Sequence, residues 1–296
     1  MLSETAKEEL LKAAGNAIGV IDRVMERIGD GFPGHFGKNR RYVVIDNDSW
    51  TAGFWTGILW LSFEITGNSK YKEQAQRNVL SFGKRIEEMI RASGHDLGFL
   101  YSLSCVACYK LTGDEKAKKW ALMAADQLMT RFTEKGNFLI AWSNPRIGGH
   151  FYIVDSLLNI PLMHWAEKVT GDRRYKEVAQ KHLLTVRDTV IRPDGATYHK
   201  FTFDPCTGKP LGGGTVQGYA DNSCWSRGQA WAIYGFALSY ACTKDVRDIL
   251  CFKRVTDYFL NHLPEDYVPY WDLVFVSGDE PRDSSAAAIA VCGIME

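Results

Sequence analysis

The chain has 296 residues, and its 35 Lys and Arg balance 35 Asp and Glu, so the net charge is close to zero. That balance argues against a nucleic-acid partner, which selects for a basic surplus or stripe. No run of about 18 apolar residues occurs, so no membrane span is expected, and a hydrophobic content of 46% suits a globular core.

In chain order, helices are expected at about 4–28, 52–66, 68–91, 95–112, 114–132, 150–169, 172–191, 223–242, 245–262 and from 283 onward. They alternate between amphipathic and nearly all-apolar. The N-terminal segment is charged and amphipathic and has no signal-peptide core, so the chain reads as cytoplasmic. The single strand candidate lies at 197–218, where TYHKFTF, the turn DPCTG and a Gly-rich return make a hairpin. Pro161 falls inside the helix expected at 150–169 and should kink it. Seven cysteines are irregularly spaced. Cys105 and Cys108 form a lone CxxC without a second pair or a His to complete a zinc site. The cysteines read as buried reduced thiols, which favour a reducing compartment.

One phrase organises the helices. An apolar residue, Thr, Gly and Asp or Asn recur as EITGN at 64–68, KLTGD at 110–114 and KVTGD at 168–172, with a worn copy, ACTKD, at 241–245. Gly past a helix end can adopt the left-handed conformation that closes it. The following Asp or Asn can cap the next helix. Each phrase is therefore a tight turn between antiparallel helices. The longer connections, roughly 30–49, 133–149, 192–222 and 263–283, then gather at the other end, where repeat arrays usually build their binding sites. Amphipathic helices belong outside and apolar ones inside. The expected fold is all-α, a helical toroid of paired inner and outer helices, in one domain spanning 1–296.

Several polar residues do not suit a core. Asp155 lies in HFYIVDSLLNIPLMHWA, the most apolar run, where desolvation should raise its pKa and suit it to general acid work. A structural Asp bonded to nearby Ser or backbone donors is an equal reading. Asp96 in SGHDLGFLY reads first as a helix cap. Should both reach one cavity, their environments would push their pKa values apart. In VQGYADNSCWSRGQAWA, Arg227 needs an anion, which could be Asp221 or a carboxylate-bearing substrate. Trp50, Trp142, Trp225 and Trp271 fall in or beside the long loops, where they could be packing or platforms for sugar rings. His199, on the hairpin, is unremarkable by itself. No metalloprotease, Walker A or nucleophile-elbow motif is present.

Together NDSWTAGFWTGILW, HDLGFLY, the DSLLNIPLMHWA run and DNSCWSRGQAWAIYG resemble the unsaturated glucuronyl hydrolases of glycoside hydrolase family 88, over about 42–290. The resemblance implies an (α/α)6 barrel. It implies hydration of the C4=C5 vinyl ether of a terminal unsaturated uronic acid, on oligosaccharides left by polysaccharide lyases. It implies that Asp155 protonates C4 and then activates the water that adds at C5, with Asp96 as the second carboxylate. It places His199, Gln217, Trp225 and Arg227 at the substrate, with Trp50, His95 and Trp142, and calls for no metal or cofactor. About ten helices are expected where such a barrel has twelve, so a C-terminally incomplete barrel is anticipated. An unsaturated rhamnogalacturonyl hydrolase shares fold and chemistry, but HDLGF with WSRGQAW argues against it. A non-catalytic sugar-binding toroid is the reading of another class. A sugar epimerase would need paired catalytic His residues, which do not stand out.

Overall fold

A computed structural model describes residues 3–39, 41–144 and 149–296. The chain opens with helix α1 (Glu4–Ile28), the hairpin β1 (Phe32–Lys38) and β2 (Arg41–Ile45), and helices α2 (Ala52–Thr66) and α3 (Ser69–Glu87). Next come α4 (Leu97–Tyr101), a π-helical turn (Ser102–Val106), α5 (Ala107–Thr112) and α6 (Glu115–Met129). Short strands β3 (Phe132–Thr133), β4 (Phe138–Leu139), β5 (Trp142–Asn144) and β6 (Gly149–Ile153) lead to a 3-10 helix (Val154–Asn159). Helices α7 (Ile160–Thr170) and α8 (Arg173–Thr189), strands β7 (Lys200–Phe203) and β8 (Pro210–Gly214), and helices α9 (Ser226–Thr243), α10 (Val246–Asn261) and α11 (Ser284–Met295) complete it.

The recurrent phrase is a turn with a defined wiring. Gly67, Gly113 and Gly171 close α2, α5 and α7 at φ 67°, 74° and 76°. Lys244 takes the same left-handed conformation at φ 58° in the worn copy. Asn68, Asp172 and Asp245 then cap α3, α8 and α10, accepting from Lys70, Arg174 and Arg247 N–H. Asp114 does the same for α6 through Lys116 N–H. The Thr of the phrase has its own reason. Thr66, Thr112 and Thr170 each donate to the carbonyl four residues back and accept the N–H of the capping residue. One hydroxyl thus bridges the end of one helix and the start of the next.

By backbone contacts the chain forms two compact units, Met1–Arg91 with Leu103–Trp120, and Ala92–Ser102 with Ala121–Glu296. In the first, α2 packs on α3. Gly83 lies flat against the Trp120 ring, which donates to Glu87 at 2.9 Å. Buried Arg85 ties the loop before α2 to the end of α3 by bonding Asn47, the Ser49 carbonyl and the Ile90 carbonyl.

In the second unit, α9 packs against α10, α11, α7 and the 3-10 helix. Being covered on several sides, it has no use for a single polar stripe, and its apolar residues are spread around the helix instead of along one face. An antiparallel sheet runs in the order β5-β6-β7-β8, with Trp142 opposite Phe151, Ile153 opposite Lys200, and Lys200 opposite Gly214. The start of β5, the end of β6, the start of β7 and the end of β8 therefore meet at one end of the sheet. Phe138, Tyr152, Phe201 and Phe203 pack ring to ring within this region.

Several expectations are corrected. The helix anticipated at 150–169 begins only at Ile160; strand β6 and the 3-10 helix precede it. Pro161 produces no mid-helix kink, because it sits in the first turn of α7. Its missing N–H leaves the Leu157 carbonyl to Ile160 N–H, a three-residue step that favours the tighter helix before it. The helix at 95–112 starts at Leu97 and is interrupted by the π turn, and α3 stops at Glu87 instead of 91. The hairpin at 197–218 forms, but it is not alone: strands occupy three of the four long connections. The cysteines form no disulfide, as expected, yet Cys206, Cys242 and Cys292 are exposed, and only Cys105, Cys108 and Cys224 are buried. Among the described residues no helix is long and apolar enough to cross a membrane.

Candidate active site

Asp155 is the second residue of the 3-10 helix, just beyond the end of β6. It is 7% exposed, and its Oδ2 has no hydrogen-bond partner among the described residues. Burial pushes its pKa up to about 7; a backbone hydrogen bond opposes the rise, Asp96 adds to it and Arg227 opposes it. The segment is held closely. A Cβ on Gly98 would overlap the Leu158 carbonyl and the Asn159 side chain, and one on Gly235 would overlap Leu157. Next to Asp155, Ser156 Oγ bonds His182 Nε2 at 2.9 Å. His182 Nδ1 accepts from Leu139 N–H, so Nε2 carries the ring proton and donates.

Asp96 occupies the cap position of α4, but its side chain makes no cap bond, contrary to the first reading of the sequence. Its carboxylate is partly exposed, and His95 Nε2 lies 3.5 Å away. The His95 ring is buried and packs edge-on against Trp142 at 4.4 Å. Burial lowers its pKa, the Asp96 charge opposing. Two anchors fix this loop. Asn159 donates to the His95 carbonyl and accepts from Gly98 N–H, at 2.9 and 2.8 Å. Arg131 bonds the carbonyls of Ser93, Ile140 and Ala141, joining the loop to the start of β5.

His199 precedes β7, and its carbonyl accepts from Val154 N–H at 2.9 Å. Its Nδ1 accepts from both Val216 and Gln217 N–H, at 3.2 and 3.1 Å. With Nδ1 so occupied, the ring proton resides on Nε2. Burial pushes the pKa down to about 3, with Arg227, Lys200 and His95 acting in the same direction. The ring lies 4.3 Å from Trp225, which is buried at the start of α9. The Arg227 guanidinium also sits over the Trp225 ring, 4.7 Å from its centre. It donates to Asp283 at 2.7 Å and to Gln217 Oε1 at 3.3 Å.

One end of the sheet thus gathers His95, Asp96, Trp142, Asp155, His199, Gln217, Trp225 and Arg227 within the second unit. Trp50 belongs to the first unit, where it packs edge-on against Phe54 at 5.9 Å. Asp221 is not the partner of Arg227; it accepts from Thr215 N–H and closes the loop after β8. Sequence reasoning missed the supporting residues. Fully buried Asp272 accepts from Tyr219, Cys224 and Val274 N–H and from the Ser223 hydroxyl. Asp283 holds Arg227, and Arg131 and Asn159 hold the Asp96 loop. Their partners are backbone groups or distant side chains, which leave no local signature. Gln229, two residues beyond Arg227, is structural: it bonds Thr197, Gly195 and Val255 in the interior. No group of three His, Cys, Asp or Glu side chains that could hold a metal ion occurs among the described residues.

The chain as a whole has known counterparts. The family model for Glycosyl Hydrolase Family 88 matches residues 20–295. An unsaturated chondroitin disaccharide hydrolase of Streptococcus agalactiae is 48% identical over 292 residues, covering 98% of this chain and 73% of that protein. The crystal structure of unsaturated glucuronyl hydrolase from the same species superimposes with a TM-score of 0.92 at 47% identity, covering 99% of this chain and 74% of that one. A mutant of it complexed with dGlcA-GalNAc6S gives a TM-score of 0.85 at 45% identity, over 97% and 72% of the two chains. The fold is therefore of the helical α/α-barrel class expected from the sequence, and the chain belongs to glycosyl hydrolase family 88, as a glycosidase.

Proposed function

We propose that this glycosidase removes the non-reducing-end 4,5-unsaturated uronic acid from lyase-generated oligosaccharides, by hydrating the C4=C5 double bond. One observation carries the reading: a buried carboxyl group, Asp155, has an unpartnered oxygen and responds to both Asp96 and Arg227. Such a group keeps its proton near neutral pH and can deliver it to carbon. In this reading Asp155 protonates C4 while positive character develops at C5. The resulting carboxylate then takes a proton from the water that adds there. The hemiketal opens and the second sugar departs. Asp96, with His95 beside it, accepts from the ring hydroxyls. His199 offers a fixed Nε2–H donor, and Gln217 and Arg227 receive the uronate, with Trp225 and Trp142 beside the sugar. No metal or cofactor enters these steps. We also read 1–296 as one catalytic domain, because the family match runs from 20 to 295, and place the protein in a reducing compartment, the cytoplasm, on its cysteines that form no disulfide.

The test is the loss of ultraviolet absorbance from an unsaturated uronyl disaccharide. The intact protein is expected to bleach it and Asp155→Asn is not. Binding without bleaching would mark a non-catalytic sugar-binding protein, and activity confined to rhamnogalacturonan fragments would reassign the substrate.

A further inference from the structure

Arg227 has one ionic partner among the described residues, and it lies 56 positions along the chain. Asp283 is 9% exposed and caps α11. Its Oδ1 accepts from the Ser285 hydroxyl at 2.5 Å and Ala286 N–H at 3.1 Å, and its Oδ2 accepts from Arg227 Nη1 at 2.7 Å. The two oxygens are divided between tasks, one holding the helix start and the other holding the guanidinium. Ser285 Oγ lies 3.3 Å from the same Nη1, so the helix start grips Arg227 twice. On its other side the guanidinium bonds Gln217 and covers Trp225.

An arginine so held cannot turn to follow a ligand, and its charge is partly offset by a buried anion. We propose that Asp283 is the positioning residue of this site, fixing both the direction and the effective charge that Arg227 presents to the uronate. The inference rests on the functional reading above, in which Arg227 meets the substrate carboxylate. It carries a second consequence. The charged groups acting on Asp155 are Asp96, from the start of α4, and Arg227, from the first turn of α9. The neighbouring His95 and His199 are kept neutral by burial. Removing the Asp283 charge leaves Arg227 less compensated, which favours ionised Asp155. The activity that depends on protonated Asp155 should then be lost at lower pH.

The experiment is a double-mutant cycle on the full chain, with an unsaturated uronyl disaccharide as substrate and a pH profile for each variant. Asp283→Asn keeps a capping oxygen and removes the charge. It is expected to raise KM about tenfold, the scale of one charge-assisted hydrogen bond, and to move the alkaline limb to lower pH. In an Arg227→Gln background the same change should alter neither quantity further. Asp283→Ser serves the same purpose if the Asn variant does not fold. Unchanged KM and an unmoved limb in the single variant, or effects that add to those of Arg227→Gln, would overturn the proposal. An Arg227→Gln protein with the parental KM would instead sink the reading of the site, and this inference with it.

Discussion

Val154 N–H donates to the His199 carbonyl at 2.9 Å, so the backbone entering Asp155 is bonded to the residue that opens β7. This contact continues the β6–β7 ladder past its last paired residues, Ile153 and Lys200. It places two titratable groups on adjoining strands with opposite perturbations. Burial raises Asp155 to about 7 and lowers His199 to about 3. Both are therefore uncharged just below neutrality, where an apolar pocket makes charge costly.

A pH profile follows from those two values. Protonated Asp155 is the active form in the proposed mechanism, so kcat/KM should fall as pH rises through about 7. His199 titrates far below this range, so it should add no second step near neutrality. Stopped assays between pH 5 and 9 should show a single alkaline limb approaching tenfold per unit. A flat profile across pH 7 would count against Asp155 as the acid.

The same burial makes Asp155 expensive to fold around. Its folded pKa lies above the ordinary 3.8, so the folded state binds the proton more tightly than the unfolded state. Below about 3.8 both states are protonated and there is no penalty. Between 3.8 and about 7 stability is progressively lost, and above 7 the full penalty remains. At 1.36 kcal/mol per unit this is on the order of 4 kcal/mol at most. Asp155→Asn should therefore melt at a higher temperature than the parent at pH 8 and differ little at pH 4. Equal melting temperatures at pH 8 would show that Asp155 is not held in so dry a place.

The turn between paired helices was legible because everything it needs lies within five residues: Thr, Gly and Asp or Asn, each with a local bonding task. The apolar run around Asp155 likewise pointed to a desolvated carboxyl, since hydrophobicity is local information. Strands β5 and β6 were not legible. They are short, their pairing is with each other and with β7, and β8 is mostly glycine, so periodicity had little to register. Asp96 misled for a related reason. A residue at a helix start is usually spent on the cap, and only the fold shows that this side chain is not.

The worn copy of the turn offers a stability test. Lys244 adopts φ 58° where the three other copies place glycine. A side chain there is strained, while glycine accepts the conformation freely. Lys244→Gly should stabilise the protein by up to about 1 kcal/mol, less whatever the Lys244 contact over Tyr240 contributes. Urea unfolding would measure it. A destabilised variant would mean that the lysine's own contacts outweigh its backbone strain.

Asp272 links the loop after β8 to the segment before α11, and its loss should reach the site. Its carboxylate takes four donors: Tyr219, Cys224 and Val274 N–H and the Ser223 hydroxyl. Alanine would leave the three N–H groups without an acceptor, while Ser223 keeps the Ala220 carbonyl, costing at least about 3 kcal/mol. Asparagine keeps one acceptor oxygen and turns an NH2 group toward the other donors, so its cost should be intermediate. The loop carries Gln217 and runs directly into Trp225, both close to Arg227. KM for the unsaturated disaccharide should therefore rise in the same order, Asp, Asn, Ala. If denaturation followed that order while KM stayed constant, Asp272 would stabilise the loop without controlling what the loop presents to the sugar.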